Sequence, residues 1–289
     1  MINYSFIIPH KNTPDLLRKC IESIPHRDDV QIIIVDDNSD VNKVDFEHFP
    51  GLNEKCTEVY LTTEGKGAGY ARNVGLKHAV GKWIVFADAD DFFYPAIEHA
   101  MDEFVNSNHE VIFFCGDAVK IPSGEYSHRA ELFNEAVEFA IKTGDFSKVL
   151  ILSTPCRKFI KRNFLQAHNI IFNEVRWSND VVFMAKVHFN ATKYVASSLK
   201  IYCTTEGDHT LTTSNTLECR IVRMQEQCKE VAILKHKYDD MEYLYKCQFD
   251  TWMKVYKINK FEALKRIPYC VSAGGWGFIK QMCIAKFGK

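Results

Sequence analysis

Three carboxylates within four residues, Asp88, Asp90 and Asp91, close a short apolar run, Trp83-Ile84-Val85-Phe86-Ala87. A run of β-formers of this length reads as a buried strand, and charges this dense cannot stay in the core the strand belongs to. Asp88 and Asp90 flank one small residue, so a turn at the strand end can aim both at one point, where a divalent cation held through oxygen relieves their repulsion. The same residues also suit a plain polar turn in which Asp91 caps the helix beginning near Pro95. A second acid pair, Asp36-Asp37, ends the β-branched run Gln31-Ile32-Ile33-Ile34-Val35. A further acid, Asp180, follows Trp177-Ser178-Asn179 at the start of a strong helical pattern over 181–187, where Ser, Asn and Asp are all N-cap types.

Holding these acids in place requires a sheet. Ser5-Phe6-Ile7-Ile8, closed by Pro9, is a strand, and residues 14–23 follow with helical spacing. Strands at 31–35, 58–61 and 83–87 continue the pattern, with a second helix at 70–79, and right-handed crossovers turn this alternation into a parallel sheet. Ligands bind outside the carboxyl ends of such strands, which here carry Pro9, Asp36, Asp37, the loop Gly65-Lys66-Gly67-Ala68-Gly69 and the Asp88 cluster. The loop has GxGxG spacing after the third strand, not the GxGxxG after the first that marks a dinucleotide fold. It can bring backbone N–H groups such as that of Gly67 to a phosphate or sugar, with Arg72 as charged partner; the alternative is a flexible connection with Arg72 solvated.

A chain of 289 residues can bury a large α/β core and carry a helical appendage. With 36 Lys and Arg against 37 Asp and Glu, no global field recruits nucleic acid, so an anionic ligand must be held locally. The ten cysteines show neither a CxxC pair nor zinc-finger spacing and read as reduced core thiols. No basic leader precedes the first strand, and no apolar run approaches the ~20 residues of a membrane span, so the expectation is a cytoplasmic protein.

Four segments in order, SFIIPHKN, IIIVDDNSD, GAGYARNVGLKHAVGKWIVFADADD and RWSNDVVF, resemble the family 2 glycosyltransferases, bacterial enzymes of the GT-A fold that use nucleotide-diphosphate sugars. The likeness implies an α/β fold, a mostly parallel sheet flanked by helices, over residues 1–213. Its nucleotide-sugar half is 1–100 and its acceptor half 101–213, followed by a helical C-terminal extension, 214–289. It implies that Pro9 and Asp37 surround the nucleoside, since a carboxylate accepts from a base N–H or ribose hydroxyls, while one of Asp36 and Asp37 only caps a turn. The family's DxD motif maps onto Asp88-Ala89-Asp90, implying Mn²⁺ or Mg²⁺ on the donor diphosphate through Asp90, with Asp88 a second ligand or a partner of the sugar. Such an ion stabilises the charge on the departing diphosphate without proton transfer.

The family's general base maps onto Asp180, a carboxylate that takes the acceptor hydroxyl's proton in an inverting transfer; its place at a helix N-terminus predicts a lowered pKa. Relatives usually carry an acid where this chain has Asn179, so that acid's role is missing here. Trp177 either stacks on an acceptor sugar or packs in the core. His209 lies in a segment resembling the loop that closes over the donor, as a metal ligand or simply exposed.

Past Pro95 the pattern gives a helix to about residue 106, a strand over 110–115 leading toward 121, a helix over 131–142 and a last short strand at 200–203. Arg157 and Lys158 either meet phosphate or acceptor or, as basic residues usually do, stay solvated. Helices of mixed charge follow at 219–238, 241–256 and 258–268. The final stretch, 269–289, sets Trp276, Phe278, Ile279, Met282, Ile284 and Phe287 beside Lys280, Lys286 and Lys289. It fits an interfacial helix on anionic lipid of the inner membrane, or a helix docked on the main domain. The QxxRW motif of processive synthases is absent. The resemblance therefore implies addition of one sugar, from UDP-sugar by family frequency, to a saccharide or lipid-linked acceptor in bacterial surface polysaccharide or lipooligosaccharide assembly. A sugar nucleotidylyltransferase would need a GxGxR loop after the first strand, which is absent. A nucleotide-sugar-binding scaffold with a degenerate site is the non-enzymatic alternative, and retention of Asp88, Asp90 and Asp180 together argues against it.

Overall fold

In the computed structural model, the described residues are 1–207, 214–238 and 240–287, so His209 lies outside them. The first hundred residues alternate as expected: β1 (Tyr4–His10), α1 (Pro14–Glu22), β2 (Val30–Asp37), β3 (Thr57–Thr62), α2 (Ala68–His78) and β4 (Trp83–Phe86). Side chains alternate between two cores. Phe6, Ile8, Ile32, Ile34, Trp83 and Val85 enter one with Leu17 and Ile21, and Ile7, Ile33, Val35, Ile84 and Phe86 enter the other. Because both faces are covered, these strands are continuously apolar in sequence. β1 is parallel to both β2 and β4, with Ile7 opposite Ile33 on one side and Phe86 on the other. That register brings the ends carrying Pro9, Asp36, Asp37 and Asp88 to one edge.

The second half adds β5 (Phe92–Phe93), α3 (Ala96–Phe104), β6 (Val111–Lys120), α4 (Glu131–Thr143), β7 (Lys158–Lys161), α5 (Arg162–Ala167), α6 (Asn179–Asn190) and β8 (Tyr194–Glu206). The sheet order is β3-β2-β1-β4-β7-β6-β8-β5. β6 and β8 pair in parallel, whereas β4 with β7, β7 with β6 and β5 with β8 pair antiparallel. The last strand is thirteen residues long, not the short one expected at 200–203. Its first half is only partly buried and carries Ser197, Ser198 and Lys200, which hide a strand from a reading based on apolar runs.

The extension comprises α7 (Leu217–Leu234), α8 (Glu242–Ile258), α9 (Lys260–Lys265) and α10 (Ile267–Phe287), the last interrupted at Gly275, φ 54°. Met224, Cys228, Phe249, Trp252, Val255, Ala263, Cys270 and Phe278 form its own core, while Val231, Leu234, Met241 and Leu244 join Ala185 of α6. Burying each large side chain contributes about 1.5–3 kcal/mol, so this packing holds the extension to α6. α10 is a docked helix through Cys270, Ala273 and Phe278, and Trp276 stays exposed. Among the described residues no helix is long and apolar enough to cross a membrane. All ten cysteines are unbridged and seven are buried.

Candidate active site

A cleft of about 580 Å³ opens at the carboxyl edge of the sheet, where Pro9, Arg72, Asp88, Asp90, Trp177 and Asp180 all reach its wall. A second hollow of about 310 Å³ shares Pro9, Lys11, Ala68 and Arg176 with it and adds Asp37, Gly65 and Gly67. The sequence candidates among the described residues therefore converge on two adjoining spaces, with the exception of Asp36.

Asp36 faces inward. Its carboxylate accepts from His10 Nδ1 at 2.7 Å, from Ser39 N at 2.8 Å and from Ser39 Oγ at 2.5 Å. Burial pushes this carboxyl up, but the bonds from His10 and Ser39 outweigh it and hold its pKa below the usual range. Asp36 is thus the turn-stabilising member of its pair. Asp37 Oδ2 accepts from Gly67 N at 2.8 Å, and its Oδ1 is buried without a partner among the described residues. A buried carboxylate oxygen left unpaired costs about 1–3 kcal/mol, a deficit that a donor entering the hollow would remove. The glycine loop's N–H at Gly67 is consequently spent on Asp37.

The cluster after β4 divides in the same way. Asp91 does not cap α3, whose N-terminus starts after Pro95 without a side-chain cap. It is buried, accepting from Tyr202 Oη at 2.7 Å and Thr205 N at 2.7 Å, and so ties the strand end to β8. Burial and the charges of Asp88 and Asp90 push its pKa well above the ordinary value. Asp90 is pushed up to about 6, first by burial and then by Asp88. Asp88 keeps its side chain 43% exposed and ion-pairs with Arg72 at 2.5 Å. Among the described residues no group of three or more His, Cys, Asp or Glu forms a metal cage. The available donor set is Asp90 with Asp88, hard oxygen ligands of the type that could hold a divalent cation. The crowding of three carboxyls around one paired guanidinium fits such an ion.

Arg72 is not solvated, as one expectation had it. It is buried, and while Nη2 holds Asp88, Nη1 donates to Asn179 Oδ1 at 2.8 Å. One guanidinium therefore links the Asp88 turn to the N-terminus of α6. Close approach of α2 and α6 depends on Gly69, where a Cβ would lie 2.4 Å from Asn173 O and 2.9 Å from Asn179 Cβ. Asn73 adds a pair of bonds to the backbone of Phe172, at 2.8 and 3.0 Å. Ser178, the N-cap of α6, takes φ 54° and makes no side-chain cap bond, a left-handed conformation that L residues adopt at a cost. Asp180 follows in the first turn. Its pKa is raised, not lowered as its helix position predicts, because burial outweighs the attraction of Arg72.

Trp177 is 7% exposed and lines the cleft, with the Arg176 guanidinium 5.1 Å from its ring centroid. Arg157 and Lys158 are neither solvated nor at the cleft. Arg157 donates to Thr204 Oγ1 at 2.8 Å, and Lys158 Nζ donates to Thr154 O and lies 4.6 Å from the Phe133 ring centroid. Burial pushes the Lys158 ammonium down to about 7. Sequence reasoning missed Lys11, Arg129, Arg176, Thr205 and Arg223, which also reach the cleft. Arg129 and Arg223 come from a segment of weak pattern and from the extension, where no local signal marks them.

Residues 5–168, more than half of the chain, match the family described as Glycosyl transferase family 2. A curated relative, the poly(ribitol-phosphate) beta-N-acetylglucosaminyltransferase TarS of Staphylococcus aureus strain MW2, is 24% identical over 219 residues, covering 72% of this chain and 37% of the relative. The chain thus spans little more than a third of that relative's length. The crystal structure of S. aureus TarS 1-349 in complex with UDP-GlcNAc superposes with TM-score 0.64 at 20% identity, covering 94% of this chain and 79% of that one. The mannosyltransferase PcManGT of Pyrobaculum calidifontis, in complex with GDP-Man and Mn²⁺, gives TM-score 0.53 at 17% identity, covering 99% and 76%.

Proposed function

Because this chain belongs to glycosyl transferase family 2 and has the GT-A fold, we propose that it transfers one sugar, with inversion, from a nucleotide-diphosphate donor to a saccharide or lipid-linked acceptor in bacterial surface-polymer assembly. The observation that carries this reading is the adjoining pair of spaces: a hollow with an unpaired Asp37 oxygen opens into a cleft that has Asp88 and Asp90 on one wall and Asp180 among the others. UDP is the favoured nucleotide, supported by the TarS relative that binds UDP-GlcNAc.

Asp37 Oδ1 accepts from a base N–H or ribose hydroxyl, with Pro9 against the nucleoside. Asp90, with Asp88, would hold Mn²⁺ or Mg²⁺, which when bound stabilises negative charge on the leaving diphosphate. Asp180 takes the proton of the attacking acceptor hydroxyl. Its raised pKa makes it a stronger base than an exposed helix-terminal aspartate. Arg72 keeps Asp88 and the start of α6 in fixed relation, and Trp177 offers an apolar face to an acceptor ring.

The test is thermal unfolding of wild type and Asp90→Ala with UDP, GDP and CMP, each with and without Mn²⁺. A ligand at 100 times its Kd adds about 2.7 kcal/mol, roughly 5–10 °C at this size. The expected result is a shift with UDP and Mn²⁺ in wild type alone. A folded wild type that no nucleotide shifts, with or without metal, overturns the donor-site reading.

A further inference from the structure

The positive charge of this chain is concentrated at one end. Residues 254–289 hold eight of its 36 Lys and Arg but one of its 37 Asp and Glu, Glu262, leaving the remainder net acidic. Glu262 is itself paired with Arg266. Where α8, α9 and α10 meet, Lys254, Lys257, Lys260 and Lys265 are exposed, and between them stand Ile258, Phe261, Leu264 and Tyr269 at 48, 73, 52 and 39% exposure. This corner is firmly built: Trp252 Nε1 donates to Ala263 O at 2.8 Å, and Asn259 Oδ1 accepts from Glu262 N at 3.1 Å. α9 is thus locked on its inner side while Phe261 and Leu264 face outward.

We propose that this corner rests on an anionic phospholipid surface, with Phe261 and Leu264 entering the headgroup boundary and the four lysines against the phosphates. Apolar side chains interleaved with lysines match such a surface in both respects, since lysine stems lie along apolar groups while their ammonium ends reach the anionic layer. A soluble polyanion would satisfy the lysines and leave the apolar residues in water. The position of the corner adds a reason. The start of α10 packs on the N-terminal half of α7, Cys270 Sγ lying 3.8 Å from Met224 Sδ, and the adjacent Arg223 reaches the cleft. The corner thus adjoins the helix that lends Arg223 to the cleft, which suits an acceptor carried in the same lipid surface. The docking itself is independent of the proposed transfer; only its purpose rests on it. Residues 269–289, which the sequence offers as either an interfacial or a docked helix, pack inward through Cys270, Ala273 and Phe278, and the exposed apolar residues interleaved with lysines lie in the corner that precedes them.

The full chain is floated with phosphatidylcholine vesicles, with and without phosphatidylglycerol, at low and high salt. Binding is expected only with phosphatidylglycerol and to weaken with salt. Phe261→Ser with Leu264→Ser, and Lys254, Lys257, Lys260 and Lys265→Glu together, should each cost at least about tenfold in affinity while unfolding at the wild-type temperature. Absent or equal binding to both vesicles overturns the proposal. So does tight binding to soluble polyphosphate that the Phe261/Leu264 variant leaves intact. A lipid-independent dimer in light scattering that this variant abolishes would assign the corner to a second copy instead.

Discussion

The ends of β2 and β4 solve one problem in opposite ways. Each brings clustered aspartates to the same sheet edge, and each turns one inward: Asp36 and Asp91. Asp36 is held below the usual carboxylate range and Asp91 is pushed well above it, although both accept good hydrogen bonds. At β2, Thr13 N donates to His10 Nε2 at 3.1 Å, which leaves Nδ1 to carry the proton given to Asp36. At β4 the hydrogen bonds come from Tyr202 and Thr205, while Asp88 and Asp90 add two like charges nearby. Hydrogen bonds that outweigh burial at β2 therefore fail to do so at β4, where like charges crowd the carboxyl. The β2 end meets its buried acid with hydrogen bonds, and the β4 end keeps Asp90 and Asp91 crowded beside an Asp88 already paired with Arg72, a crowding that a bound cation would relieve.

Removing charge at the β4 end should have the largest effect. Asp90→Asn is expected to lower sugar transfer at least ~10³-fold and abolish the Mn²⁺-dependent nucleotide shift, yet raise the unfolding temperature of the ligand-free protein by relieving repulsion. Chelation of metal from wild type should reproduce the kinetic loss. A variant that loses stability instead would mean the acids are structural. Asp180→Asn should lower kcat by about 10²–10⁴ while keeping the nucleotide shift, separating proton removal from donor binding. Because burial raises the Asp180 pKa, wild-type rate should fall with decreasing pH through a value above the ordinary aspartate range, read from a pH–rate profile. A rate flat across that window would remove Asp180 as base.

The β2 end should respond in stability. Asp36→Asn leaves His10 and Ser39 with a weaker acceptor and is expected to cost about 2–3 kcal/mol in urea unfolding. The folded pKa is depressed, so the contribution of the Asp36 charge is present above the unfolded pKa, about 3.9, and fades as pH falls through the folded value. An Asp36→Asn variant as stable as wild type at neutral pH would erase the contrast between the two ends.

The first hundred residues were legible because local signals coincide with tertiary roles. A run apolar on both faces is a central strand, and an acid at its end is already at the sheet edge. What escaped depends on partners far along the chain. Asp91 resembles a helix cap until Thr205, 114 residues on, claims it, and Arg72 looks solvated until Asn179, 107 residues on, accepts from it. Lys158 could not be recognised as buried, because its accommodation rests on Thr154 O and the Phe133 and Phe113 rings that folding gathers around it. The raised pKa of Asp180 was missed for the same reason: the helix N-terminus is visible in sequence, whereas the burial that outweighs it is not.

Glu230 of α7 sharpens the comparison with the smallest effect. It is 4% exposed, accepts from Gln227 Nε2 and has no ion-pair partner among the described residues, whereas Glu226 one turn earlier pairs with Lys229 at 2.6 Å and accepts from Asn173 at 2.7 Å. Burial, with a smaller contribution from Asp180 and against the bond from Gln227, pushes Glu230 up to about 8. The folded protein then retains a proton that the unfolded chain releases near its ordinary value of about 4.5, so stability falls as pH rises between that value and the folded one. Glu230→Gln keeps the shape and removes the titration. It should match wild type near pH 4.5 and exceed it by about 1–2 kcal/mol at about pH 6 in urea unfolding, with a flatter pH slope. Parallel slopes in the two proteins would show that Glu230 ionises without penalty, and that a buried carboxyl with one amide donor can be as well satisfied as Asp36.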